Sequence, residues 1–229
     1  MSPERSLRAR AGGATPRVRE EEILATTVEL VREHGLSKVR VADVAERAGT
    51  SPTSVIYYFA SKSQLFGQAV ADADAAFYAR LRPELAALQS GIDQLAWLIV
   101  RSSTSEWPLW IDTWLFARQY PELREAEAGF EQRWCAAIAD AIRVGVSRGE
   151  FRCADPDQVA IRLAALTEGL AVHMVLSIPG RTREHYVEMS LRAAAAELGC
   201  DPSELLRAAT RVPPETPPYE VQPIRGEDT

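Results

Sequence analysis

The chain has 229 residues, and 26 Lys+Arg against 32 Asp+Glu give it a formal charge of −6. With 46% hydrophobic and 25% charged residues it has ordinary globular composition, and its length suits one large or two small domains with a real core. No run of ~18 uncharged apolar residues is present, so no membrane-spanning helix is expected. Cys135, Cys153 and Cys200 lack CxxC spacing, and His34, His173 and His185 are scattered. A disulfide framework, a metal site and a zinc finger are therefore set aside, and no cofactor motif is present. Arg5, Arg8 and Arg10 are followed by Ala, Gly and polar residues and not by an apolar block, so a cytoplasmic location is expected.

Charge is distributed unevenly. Residues 1–66 hold 10 Lys/Arg and 8 Asp/Glu, whereas residues 67–229 hold 16 and 24. Residues 1–16 are rich in Arg, Gly, Ala and Pro and read as a disordered basic arm, suited to approach a polyphosphate. Residues 212–229 contain five of the fourteen prolines and read as a disordered tail.

Between these ends the pattern is helical. Arg17 to His34 forms a first helix, with Ile23, Thr27, Leu30, Val31 and His34 on one stripe and Gly35 as its stop. A short helix from Val41 to Ala48 follows. After Gly49-Thr50, Ser51 is a good N-cap and Pro52 a good first helical residue for a third helix to Phe59. The next starts at Ser61, where Ser61 and Gln64 suit a capping box, and is expected to stop at Arg82 because Pro83 breaks the ladder. Later helices are expected over Ile92–Ser105, Pro108–Gln119, Glu122–Gly149, Pro156–Ile178, Arg183–Leu198 and Ser203–Thr210. The fold class is all-α.

Two short helices joined by a glycine turn, Val41–Ala48 and Pro52–Phe59, suit a helix-turn-helix; the same spacing also suits a plain corner in a helical bundle. In the first case small polar residues at the start of the second helix enter the major groove. Thr50, Ser51, Pro52, Thr53 and Ser54 fit that role, and the Tyr57 and Tyr58 hydroxyls reach phosphates. Lys62, in the first turn of the following helix, opposes the helix dipole unless an anion is near.

The stretch VRVADVAERAGTSPTSVIYYFASKSQLF, Val39 to Phe66, resembles the DNA-binding domain of the tetracycline-repressor (TetR) family of bacterial transcription regulators. The likeness rests on DVAERAG, the Ser51 cap, the Tyr-Tyr-Phe ending and Ser61-Lys62. It implies a helix-turn-helix domain over 17–66 and an effector-binding, dimerising body over 67–211. It also implies a homodimer joined by a four-helix bundle, with a double-stranded DNA operator and a small-molecule effector as partners and no membrane. Thr53 stands where the family usually has glycine, and Ile56 where it usually has an aromatic. Arg40 stands where a capping Thr is common, which suggests an altered phosphate contact. Ile56 is expected to pack inward.

In the helix expected after Pro156, Val159, Leu163, Leu166, Leu170, Met174 and Ile178 form one stripe, and alanines fill much of the remainder. A helix apolar on nearly all sides needs covering on two fronts, by its own core and by a second copy; a central helix of a monomer is the alternative.

All five tryptophans lie between residues 97 and 134. Trp97, Trp107, Trp110, Trp114 and Trp134, with Phe116 and His173, are the candidate effector contacts, with Phe130 and Phe151 near in sequence and Glu106 and Asp112 as added negative charge. The competing reading is a bulky aromatic core. The WxxWxxxW run and the later SRGEF segment resemble the bodies of choline-pathway repressors, which implies a quaternary ammonium or polyamine ligand.

Two rival readings remain. Gly145-Val146-Ser147-Arg148-Gly149 matches G-x-S-x-G, but that hydrolase elbow needs a strand before its serine, where a long helix is expected. The other rival is a helical small-molecule-binding module without DNA binding.

Overall fold

A computed structural model describes residues 16–103 and 107–213. Glu106, most of the basic arm and most of the proline-rich tail lie outside the described residues. Among the described residues ten helices follow in order: α1 Pro16–His34, α2 Val41–Arg47, α3 Pro52–Phe59, α4 Lys62–Ala87 and α5 Gly91–Ser102. Then come α6 Trp107–Ala117, α7 Pro121–Ser147, α8 Pro156–Val175, α9 Arg183–Leu198 and α10 Pro202–Ala209. No strand occurs among the described residues.

Local chemistry sets most boundaries. Ser51 Oγ accepts the Ser54 N–H at 3.1 Å, and Asp155 Oδ1 accepts the Gln158 N–H at 3.1 Å, each followed by a proline at the first helical position. Ser61 Oγ likewise accepts the Gln64 N–H at 3.1 Å, but Gln64 does not close a reciprocal box, because the Ser61 N–H is already bonded to the Phe59 carbonyl.

Three expectations need correction. First, α4 does not stop at Arg82; it runs through Pro83 to Ala87. Pro83 and Ala79, whose carbonyl loses its partner, both face solvent, so water can donate to the unmatched carbonyl. Second, α8 ends at Val175 and not at Ile178, where Ser177 takes a positive φ of 52° and turns the chain. Third, His34 leaves the α1 stripe and is exposed at the helix end, whereas Ile23 and Thr27 are fully buried.

The core has two joined parts. One gathers the inner faces of α1–α3 and the start of α4 with Trp107, Leu109, Trp110, Leu170 and Ala171. The other joins the far half of α4 with α5, α7, α8, α9 and α10. The head is thus not packed by itself: two tryptophans of α6 share its core.

At the junction of α7 and α5, Gly145 lies under the Phe151 ring, where a Cβ would come within 2.1 Å of Phe151. Glu150 Oε2 accepts the Gly91 N–H at 2.8 Å and caps α5. The Ser147 hydroxyl donates to its own helix, at the Val144 carbonyl, 2.8 Å away. The segment before Ser147 is helix, and SRGEF is a helix stop followed by a cap and an anchor.

Helix α8 is long and apolar enough to cross a membrane by length and composition, contrary to the sequence expectation. Its Val159, Ala160, Leu163, Ala164, Leu170 and Ala171 are nevertheless buried inside this fold.

Candidate nucleic-acid interface and ligand cavity

Val44 and Val55, both fully buried, lie where α2 packs on α3 and on α1 and where α3 packs on the start of α4. Burial of each stabilises the arrangement by about 1.5–3 kcal/mol. Gly49 takes a φ of 61°, which lets the chain reverse while the Thr50 N–H returns to the Ala45 carbonyl at 2.8 Å. Arg19 of α1 donates to the carbonyls of Ala48 and Gly49 at 3.2 and 2.9 Å, and Arg47 holds Glu33 at 2.9 Å. The turn is therefore braced from behind.

On the outward side of α3 stand Pro52, Thr53, Ile56 and Tyr57, all exposed, with Tyr57 at 84%. Ile56 does not pack inward. Val55 and Phe59 take the buried side of this short helix, and the 100° step per residue turns Ile56 outward beside Thr53 and Tyr57. Tyr58 is half-buried, edge-on to Tyr57 at 5.7 Å. Ser51 and Ser54 spend their first hydrogen bonds on each other, with the two hydroxyls 3.0 Å apart.

Two cations flank this face. Lys62 leads α4, with its Nζ 5.0 Å from the Phe66 ring centre, and burial lowers its pKa. Arg40 precedes α2 and pairs with Asp43 at 3.0 Å, while Asp43 also accepts the Arg40 N–H at 2.8 Å. Arg40 would have to leave Asp43 to reach a phosphate.

Within the body lies a small, partly open cavity. Of the seven residues expected at an effector site, Trp107, Trp110 and Trp134 line it. The others do not. Trp97 donates to Glu84 at 3.2 Å and carries Arg101 over its ring. Trp114 donates to Glu127 at 2.5 Å, and Phe116 stacks on Tyr120 at 6.0 Å. His173 lies further along α8, outside the lining, its Nδ1 buried without a hydrogen-bond partner among the described residues. Asp112 is elsewhere too, with its Oδ2 accepting the Leu36 N–H at 2.7 Å.

Phe77 of α4, which sequence reasoning did not select, and Phe130 of α7, which it noted near the tryptophans, complete the aromatic wall. Phe130 stacks on Trp110 at 4.2 Å and lies nearly parallel to Trp134, with centres 6.5 Å apart. Arg32, Ala73, Arg80, Arg101, Ser102 and Glu168 make up the rest of the lining. Phe77 is followed by Tyr78, and Phe130 lies one turn before Trp134, so local aromatic spacing marks both positions without showing that they meet. Burial pushes Glu127 up to about 7, and burial with the neighbouring Glu131 raises Glu168 well above the carboxylate range.

Comparison with known proteins agrees with both halves of the chain. Residues 23–69 match the family model "Bacterial regulatory proteins, tetR family", and residues 95–199 match "BetI-type transcriptional repressor, C-terminal". The chain is 25% identical over 171 residues to the HTH-type transcriptional regulator BetI of Cronobacter sakazakii, covering 70% of this chain and 81% of that protein. BetI of Escherichia coli O45:K1 is 22% identical over 168 residues, covering 70% and 84%. Among solved structures, a transcriptional regulator from Saccharomonospora viridis in complex with choline superposes with a TM-score of 0.73 at 26% identity, over 80% of this chain and 98% of that one. A TetR-family regulator from Rhodococcus sp. gives 0.65 at 26% identity, over 79% and 98%. The chain belongs to the TetR family of bacterial transcriptional regulators, with a helix-turn-helix that binds DNA and a ligand-binding body of the BetI type.

Proposed function

We propose that this regulator binds a palindromic operator as a homodimer and is released when a quaternary ammonium compound of the choline class fills the cavity. The aromatic wall of Phe77, Trp107, Trp110, Phe130 and Trp134, with the Glu168 carboxyl beside it, supports this reading most directly. Ring faces attract a cation that has shed its water, and an ammonium carrying methyl groups sheds water easily. The choline held by the Saccharomonospora viridis regulator supports the same ligand class.

For DNA we assign the outward face of α3, Pro52, Thr53, Ile56 and Tyr57, to the major groove. Thr50, Ser51, Ser54, Tyr58, Arg40 and Lys62 then serve its flanks and the phosphates. Residues 17–66 would act as the DNA-binding part and 67–211 as the sensing and dimerising part. Helix α4 crosses that boundary without interruption.

The homodimer is supported by the side of α8 that its own fold leaves open. Ile161, Ala165, Gly169, Val172 and Leu176 recur at helical spacing, with Ile161 47% and Leu176 66% exposed. Met189 and Ala196 of α9 continue this patch. The stripe read from the sequence, Val159, Leu163 and Leu170, is buried inside the protomer, so a partner would meet the other side. Two copies joined this way present two α3 helices to half-sites roughly 34 Å apart.

Gel-shift titration against the protein's own upstream DNA, with and without choline, tests the whole. Retarded DNA that choline releases is the expected result. Choline binding without any DNA retardation would favour the helical binding module instead.

A further inference from the structure

The seam between α4 and α7 is closed at the cavity by aromatic rings. Phe77 of α4 meets Phe130 and Trp134 of α7 with ring centres 6.5 and 6.3 Å apart, distances at which aromatic rings are in contact. All three rings line the cavity. Three residues before Phe77, Asp74 is only 1% exposed and forms an ion pair with Arg133, three residues after Phe130. Neither Asp74 oxygen accepts a hydrogen bond from a backbone N–H or a hydroxyl among the described residues, so this carboxylate depends on the Arg133 guanidinium.

Arg133 grips one turn of α4 at two points. Its guanidinium also lies 5.5 Å from the ring centre of Tyr78, four residues after Asp74. Gly129, one turn earlier on α7, leaves the room this needs, since a Cβ there would come within 3.3 Å of Arg133 Nη1. The other ion pairs on the surface of this protein are individually weak, because water screens them and replaces the partner that leaves. Asp74 has no access to water, and withdrawing its partner would leave a buried charge uncompensated. The pair therefore resists any separation of α4 from α7. Rings already in contact leave no slot for a methylated ammonium between them. A ligand held by Phe77 on one side and by Phe130 or Trp134 on the other has to part the same two helices.

We infer that the Asp74–Arg133 pair is a latch on the α4–α7 seam, which holds the closed arrangement that fits DNA and against which an entering ligand works. The inference rests on reading the cavity as the effector site and its filling as the signal for release. Neither residue lines the cavity. They are positioning residues that act through Phe77 and through α4, which runs unbroken to Lys62. Weakening the latch lowers the cost of the open arrangement, so ligand binds more tightly and less of it suffices to release DNA.

Titration calorimetry with choline and gel-shift release of bound operator by choline, both on the full chain, test this. Asp74→Asn keeps the shape and removes the charge. It should bind choline about fivefold or more tightly than wild type and release operator at proportionately lower choline. Arg133→Lys keeps a charge but loses the planar fork and its stacking on Tyr78, and should shift both quantities the same way by a smaller factor. The two changes together should add little to Asp74→Asn alone, because they remove one interaction. If Asp74→Asn does not fold, Arg133→Lys carries the comparison by itself, since Arg133 is half-exposed. A pair that only stabilises the fold would lower the unfolding midpoint without tightening choline, so unchanged or weaker choline binding in the folded variants overturns the inference. A wild-type chain that binds choline yet keeps its operator overturns the release reading instead, and one that binds no choline overturns the ammonium reading.

Discussion

The carboxylate of Asp112, on the aromatic helix α6, accepts the backbone N–H of Leu36 at 2.7 Å, in the turn that leads from α1 to α2. Trp110, two residues earlier, lines the cavity, and Leu36 is buried in the core of the head. One hydrogen bond therefore joins a helix of the cavity wall to the turn that leads into the helix-turn-helix. Asp112→Ala leaves the Leu36 N–H buried and unpaired, at a cost of about 1–3 kcal/mol in denaturant unfolding. Asp112→Asn keeps an acceptor and should cost less. In gel shifts the alanine variant should show a smaller change in operator affinity on adding choline; an unchanged response would remove Asp112 from the coupling.

Lys62 lies half-buried over Phe66 at the start of α4, beside α3, where we assign it to a phosphate. Lys62→Ala should weaken operator and unrelated DNA by similar factors and reduce the salt slope by about one. Loss confined to the operator would contradict a phosphate role. Thr53, exposed on the outer side of α3, should behave in the opposite way. Replacing it should change which sequence is selected from random DNA and leave the salt slope nearly unchanged.

Ala165 is exposed in the middle of the apolar face of α8. Ala165→Glu should give a monomer by light scattering, because two copies of the new carboxylate meet near a two-fold axis without partners. Operator affinity should collapse while choline binding in the cavity persists. A dimer that survives the change would place the interface elsewhere.

The raised pKa of Glu127 has a consequence for stability. A carboxyl whose folded value lies above its unfolded one binds its proton more tightly when folded. Its contribution is therefore complete below about pH 4 and is lost as pH climbs to about 7. The ligand-free protein should lose at most about 2 kcal/mol over that interval from this group, given its partial exposure. Glu127→Gln should flatten that part of the curve in thermal melts at a series of pH values; an unaltered curve would assign the change to other groups.

Gly145→Ala should destabilise the body by about 1–3 kcal/mol or more, since its Cβ would collide with the Phe151 ring. Phe151→Leu in the same chain should recover part of the loss, measured by denaturant midpoint.

Much of this architecture was legible in the sequence where local chemistry decides it. Ser51-Pro52 and Asp155-Pro156 each contain both a cap and a preset backbone angle, and α3 and α8 start there. Pro83 misled because proline's penalty depends on whether the orphaned carbonyl meets water, and only the folded chain shows that Ala79 faces solvent. Of the five clustered tryptophans, three line the cavity. Helical spacing identifies residues that share a side but not the partner they meet. Phe77 and Phe130 became wall residues only when α4 and α7 were packed together, and Ile56 turned outward because Val55 and Phe59 had already filled the inner side.

Helix α4 carries Lys62 at one end and Phe77 in the cavity wall, with no break between them. Fifteen residues at 1.5 Å each make a rod of about 22 Å from the cavity wall to Lys62. A tilt of about 6° about the Phe77 end would move Lys62 by about 2 Å, comparable to the difference between a hydrogen bond made and one lost. In a dimer both rods swing, so the separation of the two reading heads changes by up to twice that amount.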